Sequence, residues 1–153
     1  KLLIILWLNI LNTSDFVITE GKMAKLIHTM IRVLEEERSV LFYQKAFGMH
    51  VSRRLDKETF TLVYMRGDET DQEIELTINK DQSDEYTHGD GYGHVAFVVD
   101  NIEEEHKRFE AEGLMPKDLV EFKDNGELIA KFFFAQDPDG YKIEVLQRHG
   151  HYQ

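Results

Sequence analysis

A chain of 153 residues with 42% hydrophobic content and ten Phe can bury a core, either as one domain of ordinary size or as two small modules sharing one. Its 29 acidic residues outnumber 18 basic ones for a net charge of -11, which argues against nucleic acid and disfavours an anionic membrane surface, since both need a surplus of Lys and Arg. There is no cysteine, so disulfides, thiolate nucleophiles and thiolate metal sites are excluded, and any metal must be held by nitrogen and oxygen.

Residues 1–22 stand apart from the remainder. Lys1 to Leu11 is a run of Leu and Ile with one Trp, followed by polar Asn12 to Lys22. The run is too short to span a bilayer, which takes about 20 residues. It resembles the apolar core of a signal peptide, but no small-x-small cleavage site follows it. The preferred reading is an extension outside the domain, ahead of a secretion signal or an amphipathic arm packing on a partner, and the expected location is cytoplasmic.

From Met23 onward the pattern becomes regular. Leu26 to Val33 alternates, with Ile27, Thr29, Ile31 and Val33 on one face and Leu26, His28, Met30 and Arg32 on the other. Glu35, Glu36 and Glu37 suit the first turn of a helix through its dipole, and that helix is expected to carry Val40, Leu41, Ala46 and Phe47 inward and to stop at Gly48. Strands follow near Val51 to Leu55, Thr59 to Met65 and Glu73 to Ile78, giving β-α-β-β-β. Asp81 to Tyr92 is polar and reads as a linker. Gly93 to Val99 is then an apolar strand beginning with His94. Asp100 and Asn101 are N-cap types, with Glu103 and Glu104 placed for a capping box, and the helix ends near Gly113. Strands near Leu119 to Lys123 and Leu128 to Ala135 come next. Finally Asp137-Pro138-Asp139-Gly140 supplies turn chemistry ahead of an alternating strand in which Glu144 opposes Ile143 and Val145.

The second half therefore repeats the first at a period of about 66 residues. The expected boundaries are a first module over 23–80, a linker over 81–92, a second module over 93–149 and a tail over 150–153. His28 and His94 fall at the same place in the two halves, Gly48 and Gly113 follow them by 20 and 19 residues, and Glu75 and Glu144 by 47 and 50. Taken singly, a His at a strand start or a Glu on a half-exposed strand is ordinary. Two matched His–Glu pairs on faces opposite the packing face are what a nitrogen and oxygen metal site needs, suited to Zn, Ni, Co, Fe or Mn.

Leu26 to Val33, Ile74 to Asn79, Gly91 to Phe97 and Asp137 to Leu146, in that order, closely resemble the glyoxalase I family of the vicinal oxygen chelate superfamily, and the resemblance covers about Met23 to Gln147. It implies an α+β fold of two paired βαβββ modules with curved mixed sheets in a homodimer. The metal would lie between subunits, held by His28 and Glu75 of one chain and His94 and Glu144 of the other. It further implies that Arg32 and Asn79 bind the glutathione moiety. Independently, each lies four residues beyond a metal-type residue on the same strand face, about 13 Å away at roughly 3.3 Å per residue, the reach of an extended tripeptide. The implied reaction is isomerisation of the methylglyoxal-glutathione hemithioacetal to S-D-lactoylglutathione by proton transfer through an enediolate, with Glu144 as the base and Glu75 as its counterpart. Family analogy leans to Ni or Co as the divalent metal, with Zn as the alternative, and glutathione is the co-substrate.

One departure is visible. The segment Lys123 to Lys131 does not align cleanly with the family's carboxylate-binding loop, so Lys131, Lys123, Arg53 and Arg54 are candidates for that role without a firm assignment. Two rival readings use the same fold: a methylmalonyl-CoA epimerase-like enzyme, and a metal-free drug-binding protein of the bleomycin-resistance kind. Extradiol dioxygenases, with two His and one carboxylate on iron, are disfavoured by the second Glu.

Overall fold

The structure, a computed structural model, describes residues 24–153, so the expectation for residues 1–22 lies outside the described residues. The elements in order are β1 (His28–Arg32), α1 (Glu36–Phe47), β2 (His50–Asp56), β3 (Phe60–Arg66), β4 (Glu73–Asn79), β5 (Val95–Val99), α2 (Ile102–Ala111), β6 (Val120–Asp124), β7 (Glu127–Gln136) and β8 (Lys142–Gln147). Each half builds one four-stranded mixed sheet, ordered β1-β4-β3-β2 and β5-β8-β7-β6. The first pair in each is parallel and the rest are antiparallel. A parallel pair needs a long crossover, which the helix and the two intervening strands supply. Among the described residues no helix is long and apolar enough to cross a membrane.

Alternation decides which face each strand buries. In β3, Thr61, Val63 and Met65 are buried, while Leu62, Tyr64 and Arg66 lie on the open face. The same parity in β7 and β8 sends Phe133, Ala135, Ile143 and Val145 into the core. One apolar cluster joins the halves: Val33, Tyr43, Met65 and Leu76 from the first pack with Ile102, Phe109, Phe133 and Val145 from the second. Phe47 of α1 stacks on Phe97 of β5 at 3.8 Å. Fully burying side chains of this size stabilises the fold by about 1.5–3 kcal/mol each.

The inward face of α1 corrects one sequence expectation. Ser39, Phe42, Tyr43 and Ala46 are buried, a spacing of i, i+3, i+4 and i+7, whereas Leu41 is 63% exposed. Val40 and Phe47 pack only partly against the core. Leu41 belongs to the opposite side of the helix, and a buried Ser with a tyrosine replaces it because both hydroxyls find partners inside. The helix ends as expected, with Gly48 at φ 63. Asn101 caps α2 by accepting from the Glu104 N–H at 3.2 Å.

The turn of residues 137–140 does more than reverse the chain. Asp137 accepts the backbone N–H groups of Asp139 at 3.0 Å and Tyr141 at 2.8 Å, and the buried Tyr43 hydroxyl donates to it at 3.0 Å. Burial raises the Asp137 carboxyl and, more strongly, the Tyr43 phenol above their ordinary ranges. Asp139 reaches across to the first half and accepts from the Leu34 N–H at 2.9 Å, Arg38 Nη2 at 3.0 Å and Ser39 Oγ at 3.0 Å. In return, the Arg108 guanidinium of α2 donates to the carbonyls of Lys45 at 2.9 Å and Ala46 at 2.7 Å, where the C-terminal end of α1 favours a cation.

Candidate metal centre

The parallel strand pair of each sheet places one His and one Glu by the same register rule. In the first sheet Met30 faces Glu75, and His28 lies two residues before Met30 on the same face, so its ring reaches Glu75 diagonally. In the second sheet Ala96 faces Glu144, and His94 lies two residues before Ala96. His94 precedes β5 rather than opening it, yet its ring comes to the same place. The ring Nε2 to carboxylate Oε2 separation is 3.6 Å for His28 and Glu75 and 3.1 Å for His94 and Glu144.

These distances suit two donors converging on one ion. Ligand bonds of about 2.0–2.2 Å put neighbouring donor atoms roughly 2.8–3.6 Å apart in octahedral or tetrahedral geometry. Each pair therefore fits half of a divalent site. Both carboxylates are largely shielded, at 12% and 15% exposure, while the His rings sit nearer solvent at 35% and 40%. Among the described residues no three His, Asp or Glu gather where they could hold a metal. One chain thus presents two separate His–Glu pairs.

The strand next to each glutamate makes the halves chemically unequal. Tyr64 lies in register with Glu75, its ring 5.9 Å from that of His28, and its phenol is raised by a hydrogen bond to the Glu75 carboxylate. The Thr77 hydroxyl also reaches Glu75, at 3.3 Å. Phe134 takes the corresponding place opposite Glu144, with the His94 ring 5.7 Å away. Lys142, two residues before Glu144 on the same face, lays its ammonium 3.8 Å above that Phe134 ring. Phe134 and Lys142 border a cleft of about 530 Å³ that Leu114, Met115 and Lys117 complete. Sequence reasoning passed over Tyr64, Phe134 and Lys142; parity along β8 alone would have flagged Lys142, whereas Tyr64 and Phe134 needed the cross-strand register.

Arg32 and Asn79 stand in the same diagonal relation as His28 and Glu75, because Arg32 faces Thr77, two residues before Asn79. Asn79 Nδ2 donates to the Tyr86 hydroxyl at 3.1 Å. The second half lacks this pair: the corresponding places hold Val98 and Arg148, and Arg148 is tied to Asp100 and Glu69. Of the four basic candidates, Lys131 is engaged with Glu103 and Glu121, Lys123 with Glu121, and Arg54 bidentately with Glu36. Arg53 is in register with Tyr64 and, among the described residues, has no carboxylate partner.

A family model described as the Glyoxalase/Bleomycin resistance protein/Dioxygenase superfamily matches residues 25–145. A lactoylglutathione lyase of Neisseria meningitidis serogroup A is 41% identical over 129 residues, spanning 81% of this chain and 91% of that protein. The chain belongs to the glyoxalase I family of that superfamily. A family member from Haemophilus influenzae, also a lactoylglutathione lyase, is 37% identical over 80% of this chain and 92% of its own length. Among solved glyoxalase I structures, the trypanothione-dependent Leishmania major protein superposes with a TM-score of 0.66 at 31% identity, covering 82% of this chain and 87% of that one. Glyoxalase I of Zea mays gives 0.71 at 30% identity over 82% of this chain and 45% of the maize chain. The α+β glyoxalase fold implied by the resemblance is thereby borne out.

Proposed function

We propose that this chain is a lactoylglutathione lyase whose metal site is completed by a second copy, with His28 and Glu75 of one chain facing His94 and Glu144 of the other. The observation that carries this reading is the pair of half-sites built by identical register on the open faces of both sheets, at 3.6 and 3.1 Å, with no third ligand near either among the described residues. A divalent metal held by the four would polarise the vicinal oxygens of the hemithioacetal and stabilise the charge that develops when its C–H proton leaves. Family analogy favours Ni or Co there, with Zn as the alternative.

The chain's own groups divide the remaining work. Glu144 faces a phenyl ring and, among the described residues, has no hydroxyl or amide donor, its Oε2 lying 3.1 Å from the His94 ring, which leaves a carboxylate oxygen to take the proton from C1 of the hemithioacetal. Glu75 has lone pairs engaged by Thr77 and Tyr64, which suits an anchored ligand and counterpart acid–base group. Return of a proton to C2 makes the secondary alcohol while C1 becomes the thioester carbonyl, an isomerisation without net redox. Arg32 and Asn79 would receive the peptide of the thiol, Arg taking a carboxylate and Asn an amide. We place the reaction in the cytoplasm, where glutathione sets the thiol pool.

The test is thioester formation from methylglyoxal and glutathione on protein stripped of metal and reloaded in turn with Ni, Co, Zn or Mn. Activity should appear with at least one metal and vanish on chelation, and Glu144→Gln should stay folded with turnover reduced by about 100-fold or more. Near wild-type turnover in that variant would sink the assignment of the base.

The net charge of -11 favours a second reading of the thiol alone, a cationic conjugate of glutathione, because long-range repulsion opposes an anionic one. Comparing kcat/KM for the two hemithioacetals decides it, and an equal or lower value for the conjugate ends the idea.

A further inference from the structure

We infer that the hydroxyls of Tyr141 and Tyr86 are positioning groups for Arg32 and Asn79, so that the thiol subsite on the first sheet is held by the linker and by the second half's turn. This rests on the reading of Arg32 and Asn79 as the thiol-binding pair.

The reason begins with the free edge of β1. Its Val33 N–H points to β4, bonding the Thr77 carbonyl at 3.0 Å, so the N–H groups of Arg32 and Leu34 point the other way, where no strand of the described residues lies. An unpaired edge N–H shielded from water is costly. The turn ahead of β8 supplies both acceptors: the Tyr141 hydroxyl for Arg32 at 3.2 Å and Asp139 Oδ1 for Leu34 at 2.9 Å. A side chain and a turn thus stand in for a missing neighbour strand. The backbone from which Arg32 projects is set from the outside by Tyr141.

Tyr141 is itself fixed. The His88 ring stacks on it at 4.1 Å and 24°, and Tyr92 meets it edge-on at 5.2 Å. Both partners come from the segment between β4 and β5. The same segment provides Tyr86, whose hydroxyl accepts from Asn79 Nδ2 at 3.1 Å. With one amide N–H engaged there, the side-chain Oδ1 of Asn79 is turned toward an incoming peptide N–H as acceptor. Ring stacking explains why an aromatic stands at position 141, and it would be served equally by Phe. The two hydroxyls add one hydrogen bond each, and each bond ends on a member of the Arg32/Asn79 pair.

The experiment compares Tyr141→Phe and Tyr86→Phe with Arg32→Ala and Asn79→Ala in the metal-loaded protein. It reads calorimetric affinity for S-methylglutathione, KM and kcat for isomerisation, and bound metal. Each Phe variant should weaken S-methylglutathione binding and raise KM by about two- to tenfold, the worth of one hydrogen bond, with kcat and metal content within about twofold of the parent. If both Phe variants bind like the parent while Arg32→Ala and Asn79→Ala bind weakly, the positioning role is wrong. If the Ala variants also bind like the parent, the assignment of the thiol subsite fails and the inference with it. A parallel fall of kcat and metal content in the Phe variants would assign the hydroxyls to general scaffolding and overturn the inference as well.

Discussion

Replacing Asp139 by Ala should cost the fold about 3–5 kcal/mol. The carboxylate is 2% exposed and accepts three bonds from the first half of the chain, from the Leu34 N–H, the Ser39 hydroxyl and Arg38 Nη2. Deleting it strands a backbone N–H and a fully buried hydroxyl, each at about 1–3 kcal/mol. The Arg38 contribution is discounted, because that guanidinium is 38% exposed and water can take up its charge. At about 2–4 °C per kcal/mol for a chain of this size, the melting temperature should fall by roughly 10 °C. Asp139→Asn keeps the oxygen that accepts from Leu34, puts an amide NH2 where the Ser39 hydroxyl now donates so that this hydroxyl must turn to accept, and loses the charged contact, so it should cost about 1–2 kcal/mol. Thermal and urea unfolding followed by far-UV circular dichroism would measure both. A loss under about 1 kcal/mol in Asp139→Ala would show that the turn does not lock the two halves together.

The Tyr43 phenol is pushed well above its ordinary 10.0 by burial first and by the Asp137 carboxylate next, so the folded state keeps a proton that the unfolded state releases. Its contribution to stability is complete below pH 10.0 and is lost as pH rises beyond it. Tyr43→Phe should therefore flatten the fall of the urea midpoint between about pH 9 and 11, and parallel curves for variant and parent would refute the linkage. Leu41→Gln should leave the melting temperature within about 2 °C, since the side chain lies on the open side of α1, whereas Phe42→Ala should cost about 3–5 kcal/mol. Equal losses in the two would contradict the observed helix face.

Much of this molecule was readable from alternation and punctuation. Strand parity placed Glu75 and Glu144 opposite their apolar neighbours, and the structure keeps both on the open faces. Gly48 and Asn101 ended and began their helices as local chemistry dictates. What escaped the sequence was set by partners distant in the chain. Asp139 reads there as a turn residue, yet its three donors lie 100 to 105 positions away. The same contact explains the misjudged face of α1, because nothing local announces that Ser39 will be buried against a carboxylate from the other half. The inequality between Glu75 and Glu144 was hidden for a related reason: it depends on Tyr64 and Phe134 occupying corresponding registers on β3 and β7. Lys131, Lys123 and Arg54 shared one sign and a plausible location in the sequence, but in the fold each is already held by acidic neighbours.

Mixing two inactive variants tests the shared metal site most directly. Glu75→Gln and Glu144→Gln should each form folded dimers with little thioester-forming activity. In a mixed dimer the two lesions fall together in one site and leave the other site intact. Random exchange after mild denaturation and refolding of an equal mixture should then restore about a quarter of parental activity, since half the dimers are mixed and each has one good site. If all four ligands served a site within one chain, the mixture would remain as inactive as its components.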